Sequence, residues 1–135
     1  LKPGGKAYLT TPNRAMSLTR NPWHIREYTA DELLGLAKKY FAHATVKGIT
    51  GDDKVMAYYE RNKKSVGKIA RFDFLNLRHR LPAGLYKIPY ELLNRWNRNK
   101  LKDANDELVR SITHGNYQVT DKASEALDLF LTVQK

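Results

Sequence analysis

Residues 126–135 read ALDLFLTVQK, and Leu127, Leu129, Phe130, Leu131 and Val133 make this ending almost continuously apolar. Successive residues of a strand point to opposite faces, so a sheet wetted on one face alternates apolar with polar side chains. A run this dense predicts instead a strand covered on both faces, with a neighbour on each side. The rest of the chain must then supply partner strands and covering layers. Only two other segments read clearly as strands. Lys6–Thr11 sets Ala7, Tyr8 and Leu9 between a Gly pair and Pro12-Asn13, which are turn residues. Ala44–Thr50 (ATVKGIT) places β-branched residues on alternate sides, and its Gly48 predicts a bulge or a strand end. Three strands make a small sheet for such a last member.

The clearest helix signal is YTADELLGLAKKYF. Thr29 can cap a helix whose third residue is Glu32, each side chain meeting an otherwise unpaired backbone N–H, with Tyr28 and Leu33 at the staple positions around them. Leu33, Leu36, Ala37, Tyr40 and Phe41 then repeat at helical spacing. Between the first strand and this helix lies RAMSLTRNPWHIRE, a polar loop with Asn21-Pro22 as its turn signal and room for a helical turn. After Gly51-Asp52-Asp53, a helix is predicted from about Lys54 to Ala70, with Val55, Met56, Tyr59, Val66 and Ile69 facing inward and Gly67 weakening it. From Arg71 to Lys102, Pro82, Gly84 and Pro89 break the chain into short helices, one of them carrying Tyr90, Leu93, Trp96 and Leu101 on a shared face.

The chain of 135 residues has no Cys, which excludes disulfide scaffolds, thiolate zinc sites and Cys nucleophiles, and permits a reducing cytoplasm. No apolar run reaches the roughly 20 residues that span a bilayer, so the expectation is a cytoplasmic protein. The formal net charge is +10. Residues 54–102 hold thirteen Lys and Arg against Glu60, Asp73 and Glu91, whereas the remainder holds eleven of each sign. The basic excess thus belongs to one central segment on an otherwise neutral framework.

The series LKPGG, strand, TPN, then NPWHIREYTADELLGLAKKYF, strand, helical excursion and DLFLTVQK resembles the C-terminal half of class I S-adenosylmethionine-dependent methyltransferases of the type-11-like family. The resemblance covers residues 1 to about 50 and about 117 to 135. It implies an α/β fold: a partial Rossmann-like methyltransferase sheet of the last three strands in order five, seven, six, with strand seven antiparallel. A basic, mainly helical insert over 54–116 would lie between the last two strands, inside one domain spanning 1–135. Leu1-Lys2-Pro3-Gly4-Gly5 has the composition that follows a helix, since Gly ends one and Pro cannot continue one. The resemblance reads it as the entrance to the fifth strand, with the N-terminal, cofactor-binding half of the enzyme upstream.

In this family the cofactor, S-adenosyl-L-methionine, lies on a Gly-rich turn after the first strand, with an acidic residue on the ribose. No GxGxG occurs here, and Gly4-Gly5 precede a strand rather than follow one. The resemblance therefore implies a transferase of methyl groups whose fragment here carries no cofactor-binding residues and is inactive alone. The segment after the fifth strand borders the acceptor pocket in the family, which nominates Asn13, Trp23, His24 and Glu27, with His24 as the candidate catalytic base. The plainer readings stay open: His24 and Glu27 pair with each other or with backbone and fix the loop, and Trp23 packs beside the helix entrance. Two ligands are too few for a metal site, and no metal is expected.

The basic segment interleaves Arg61, Lys63, Lys64, Lys68, Arg71, Arg78, Arg80, Arg95, Arg98, Lys100 and Lys102 with Phe72, Phe74, Tyr86, Tyr90 and Trp96. It reads as a solvated helical face, as the cap that recognises an unidentified methyl acceptor, or as a free-standing binding module for nucleic acid or an anionic membrane surface. Truncation at the fifth strand would leave residues 6–11 as an exposed edge, open to dimerisation.

Overall fold

A computed structural model of the chain describes residues 1–18, 21, 23–71, 85, 91–97, 99 and 106–135. They fall into two compact units, Leu1–Ser17 with Arg26–Asp52 and Tyr117–Lys135, and Leu18–Ile25 with Asp53–Asn116.

The first unit opens with a turn. Gly5 N–H donates to Lys2 O at 2.9 Å, with Pro3 and a positive-φ Gly4 at the two central positions. Pro supplies φ near −65° and Gly the left-handed φ, the combination a type II turn requires. Gly4 N–H reaches Lys135 O at 2.7 Å and Lys135 N–H reaches Gly5 O at 3.1 Å, so the turn delivers the chain straight into the sheet.

Four strands form that sheet: β1 (Lys6–Pro12), β2 (His43–Gly51), β3 (Tyr117–Thr120) and β4 (Asp128–Gln134). Their order is β1-β4-β2-β3, and every neighbouring pair is antiparallel. β4 is therefore flanked by two strands that run parallel to each other, in register Ala7, Val133, Ala44 and Leu9, Leu131, Val46. The architecture is mixed α/β, and the expected neighbours of the closing strand are present. The expected count of three strands is corrected to four. Tyr117–Thr120 is only four residues long, too short for its alternation to read as a strand; pairing with β2 makes it one.

β4 is buried on alternate residues: Leu129, Leu131 and Val133 join Leu33, Ala37 and Ala123 in one core. The opposite face, where Phe130 stacks on Tyr8 at a 6.1 Å centroid distance, leaves Tyr8, Val119 and Tyr117 exposed. Within its unit the closing strand is thus covered fully on one face and only partly on the other. The density of the apolar run reflects its central place between β1 and β2 as much as any second covering layer.

The covering helix is α1 (Ala30–Ala37). Its capping box is complete: Thr29 Oγ1 accepts from Glu32 N–H, and Glu32 accepts from Thr29 N–H at 3.0 Å. Tyr28 and Leu33 both enter the core, as do Ala37 and Phe41, whereas Tyr40 lies outside on the surface. The helix ends one turn before Tyr40, so the periodicity overran the element.

Gly48 is neither a bulge nor an end. It pairs with Leu129 on one side and Thr120 on the other, in mid-strand. A short 3-10 turn, Ala123–Glu125, packs directly over it: a Cβ at position 48 would collide with Ala126 Cβ, and Ala123 Cα and Thr120 Cγ2 would stand at 3.1 Å. Close approach of a second backbone is the other reason a strand keeps a glycine.

The second unit contains α2 (Asp53–Arg71), the helical residues 91–97 and α3 (Asp106–Ser111). α2 is one uninterrupted helix through Gly67. Among its described side chains Val55 is buried, and Met56, Tyr58, Tyr59, Asn62, Ser65 and Val66 are partly sheltered. Leu93 and Trp96, expected to share a face, are both exposed; the buried member of 91–97 is Asn97. The side chains of Ile69 and Arg71, with Pro22, Phe72, Phe74, Arg78, Arg80, Pro82, Gly84, Tyr86, Pro89, Tyr90, Arg98, Lys100, Leu101 and Lys102, lie outside what is described. Among the described residues no helix is long and apolar enough to cross a membrane.

Two glycine substitutions should move stability in opposite directions. G48A forces a methyl into the 3-10 turn above β2 and should cost about 1–3 kcal/mol, the range of core overpacking. G67A meets open space in mid-helix and should gain about 0.5–1 kcal/mol. Urea denaturation of both variants checks the signs.

Candidate functional site

In open α/β sheets, ligands bind beyond the carboxyl ends of parallel strands. The corresponding place here is the end of β1 and the loop that follows it, where the sequence-nominated residues begin.

Asn13 is 1% exposed and is the residue on which that end is built. Its backbone is extended, and its Oδ1 accepts from Ala15 N–H at 3.1 Å, capping the 3-10 turn Arg14–Met16. Nδ2 donates to Ala126 O at 2.8 Å, Ala123 O at 3.1 Å and Ser124 O at 3.3 Å, two hydrogens shared among three carbonyls. Its own N–H continues the ladder to Leu127 O at 3.1 Å, while Arg14 N–H reaches Tyr28 O at 2.9 Å. One amide thus ties the end of β1 to the turn before β4. The adjoining backbone ties it to the residue before the α1 cap. This arrangement gives Asn13 a framework role, with both ends of its amide occupied.

Glu27, two residues before the N-cap Thr29, accepts from Ser17 Oγ across the loop. Arg26 lies over the Tyr28 ring, 5.6 Å from its centroid. Arg14 reaches Glu32 Oε1 at 2.8 Å. The Thr29 backbone N–H, and after it Arg14, hold the Glu32 carboxyl below its usual range.

Trp23 and His24 belong to the second unit, with Asn21 as their local organiser. Asn21 Oδ1 accepts from Trp23 N–H at 3.0 Å, and Asn21 O accepts from His24 N–H at 3.1 Å. Asn21 Nδ2 lies 3.1 Å from His24 Nε2. Oδ1 is occupied by the Trp23 N–H, so the amide faces His24 with its donor end. Trp23 exposes its ring. The structure thus gives His24 to Asn21 and Glu27 to Ser17, on different units.

One residue at this end went unanticipated. Asp128 opens β4 opposite Pro12 of β1 and Ile49 of β2, and burial raises its carboxyl above the ordinary value. The available signal was a single acid inside the run ALDLFL, where a charge interrupts what is otherwise apolar. Among the described residues no three His, Cys, Asp or Glu side chains gather as a metal site. No protein-family model, no curated protein and no solved structure matches this chain.

N13A should destabilise the first unit by about 1–3 kcal/mol, because the Ala126 carbonyl loses the Asn13 donor and Ala123 O keeps only the long bond from Ala126 N–H. N13D should be worse, since a carboxylate would face those carbonyls; calorimetric unfolding ranks the two. Asp128 supplies a pH test. Its raised folded value means the native chain binds the proton more tightly than the unfolded one, so this group costs stability at neutral pH. That cost fades as pH falls through the raised value and is gone below the ordinary 3.8. D128N should therefore raise the melting temperature at pH 7, with the gain over the parent chain vanishing near pH 3.

Proposed function

We propose that this chain is the acceptor-side, C-terminal part of an S-adenosylmethionine-dependent methyltransferase. The observation that carries the reading is the placement of the last strand, antiparallel between β1 and β2, which run parallel to each other with α1 crossing between them. That reversed order is the one the resemblance implies for strands five, seven and six. The edge of β1 supports it too: among the described residues β1 is bonded through β4 alone, leaving its other side for a preceding parallel strand. The edge is also what a dimer through residues 6–11 would use.

The described residues do not fit the cofactor itself. β1 runs into the Asn13-capped turn rather than a glycine cradle, and Gly4 and Gly5 lie before the strand. S-adenosylmethionine, held by the upstream half, would supply the methyl group as a sulfonium. This chain's residues then have positioning and proton transfer to perform, because methyl transfer is an in-line displacement and a hydroxyl or amine acceptor must lose a proton. His24 is the base in this reading. Its Nε2 lone pair, held by Asn21 in the free chain, would take the acceptor's proton when the acceptor O–H or N–H replaces that amide. Trp23, in the same unit as His24, offers a flat apolar wall; within the first unit, Glu27 meets Ser17 and Asn13 ties the end of β1 to the turn before β4.

Reading the gene upstream of the Leu1 codon tests the proposal. The expected sequence encodes a strand, a Gly-rich turn opening a helix, and a second strand ending in an acid; an unrelated sequence there sinks the reading. In the joined enzyme, H24A should lower kcat about a hundredfold, with the KM for S-adenosylmethionine unchanged.

A further inference from the structure

The helical residues 91–97 are inside out. Asn97, 5% exposed, is the residue they bury: its Oδ1 accepts from Ser65 Oγ and its Nδ2 donates to Asn62 Oδ1 at 3.0 Å, both on α2. Leu92, Leu93 and Trp96 are 66%, 45% and 56% exposed. Helical geometry accounts for the order. Leu92 and Trp96 are four apart and share one stripe, whereas Leu93 is four from Asn97 and leans toward the buried side. Docking of this segment on α2 thus uses an amide where a leucine would ordinarily serve, and turns its large apolar side chains to solvent.

We infer that the Leu92/Trp96 stripe, bordered by Leu93 and Arg95, is a docking surface for an anionic lipid bilayer. Two observations select this occupant. The first is charge: the segment 54–102 that carries the stripe has thirteen Lys and Arg against three acids, a field complementary to acidic headgroups. The second is the chemistry of the stripe. Nucleic acid would be met by flat rings that stack on bases, and branched aliphatic side chains add little to that. Leu92 and Leu93 suit acyl chains, and the broad apolar ring of Trp96 suits the boundary between chains and headgroups. Basic charge with a short apolar wedge is the composition of a helix that lies on a membrane rather than crossing it. Lys54, Arg61, Lys63, Lys64 and Lys68 on α2 are all exposed, as is Arg95 beside the stripe, so these described charges are on the surface of the unit.

Flotation of the 135-residue chain with vesicles tests this directly. The chain should partition onto phosphatidylcholine vesicles containing about 30 mol% phosphatidylserine and much less onto phosphatidylcholine alone. L92A/W96A should weaken partition about tenfold or more while leaving the helical circular dichroism intact. Absence of partition onto the acidic vesicles overturns the inference. Equal partition of parent and variant does the same, since charge alone would then account for binding. Tighter binding to a single-stranded RNA that depends on Trp96 and not on Leu92 would make nucleic acid the occupant, and the inference would fail. Should the double variant lose its helix, the W23F chain decides, because Trp96 is then its one tryptophan. Brominated lipid in the acidic vesicles must quench it, and unquenched emission refutes the bilayer contact.

Discussion

The pairing of β4 between β1 and β2 is the constraint on which the first unit rests. It is the last stretch of chain in the unit and yet its centre, so the unit closes only when both ends of the sequence meet. Seven register pairs join it to each neighbour, and the ladder runs on through Gly4, Gly5 and Lys135. The side chains that β4 buries, Leu129, Leu131 and Val133, are also the floor on which α1 sits. Without that strand, β1 and β2 would have no common partner and α1 no surface to cover.

Around this centre, small polar and small apolar residues do more than their size suggests. Asn13 gathers three carbonyls of the turn before β4, and Gly48 admits the same turn against β2 from the other side. Ala123 and Ala126 are buried between them. The turn has no apolar side chain large enough to anchor it, so hydrogen bonding and close backbone approach replace hydrophobic area. The second unit repeats the device with Asn97 between Ser65 and Asn62. A buried amide with both ends satisfied specifies one arrangement, because sliding it would leave donors and acceptors unmatched.

Such devices explain where sequence reasoning succeeded and where it did not. The capping box at Thr29 and Glu32 was legible because both partners lie within one helical turn. The strands at Lys6, His43 and Asp128 were legible because apolar alternation and turn residues are local patterns. β3 was not, because the alternation of YQVT lasts only four residues and is fixed as a strand by lying against β2. Asn13 was nominated because the segment after the fifth strand borders the acceptor pocket in the family that the chain resembles; its burial, which no local pattern marks, comes from carbonyls about 110 residues away in sequence. Leu93 and Trp96 read as members of one stripe by periodicity, which is silent on what the stripe meets.

The sequence by itself determined the local elements, the concentration of positive charge in 54–102, and the need of the closing apolar run for a neighbour on each side. These follow from rules that act over a few residues: side-chain direction, capping and charge. Tertiary structure alone decided that the sheet has a fourth strand, that Gly48 makes room for a turn, that Asn13 is a clamp, and that the apolar stripe of 91–97 faces outward. Each depends on which distant backbone arrives beside a residue, and burial, unlike periodicity, is a property of both partners.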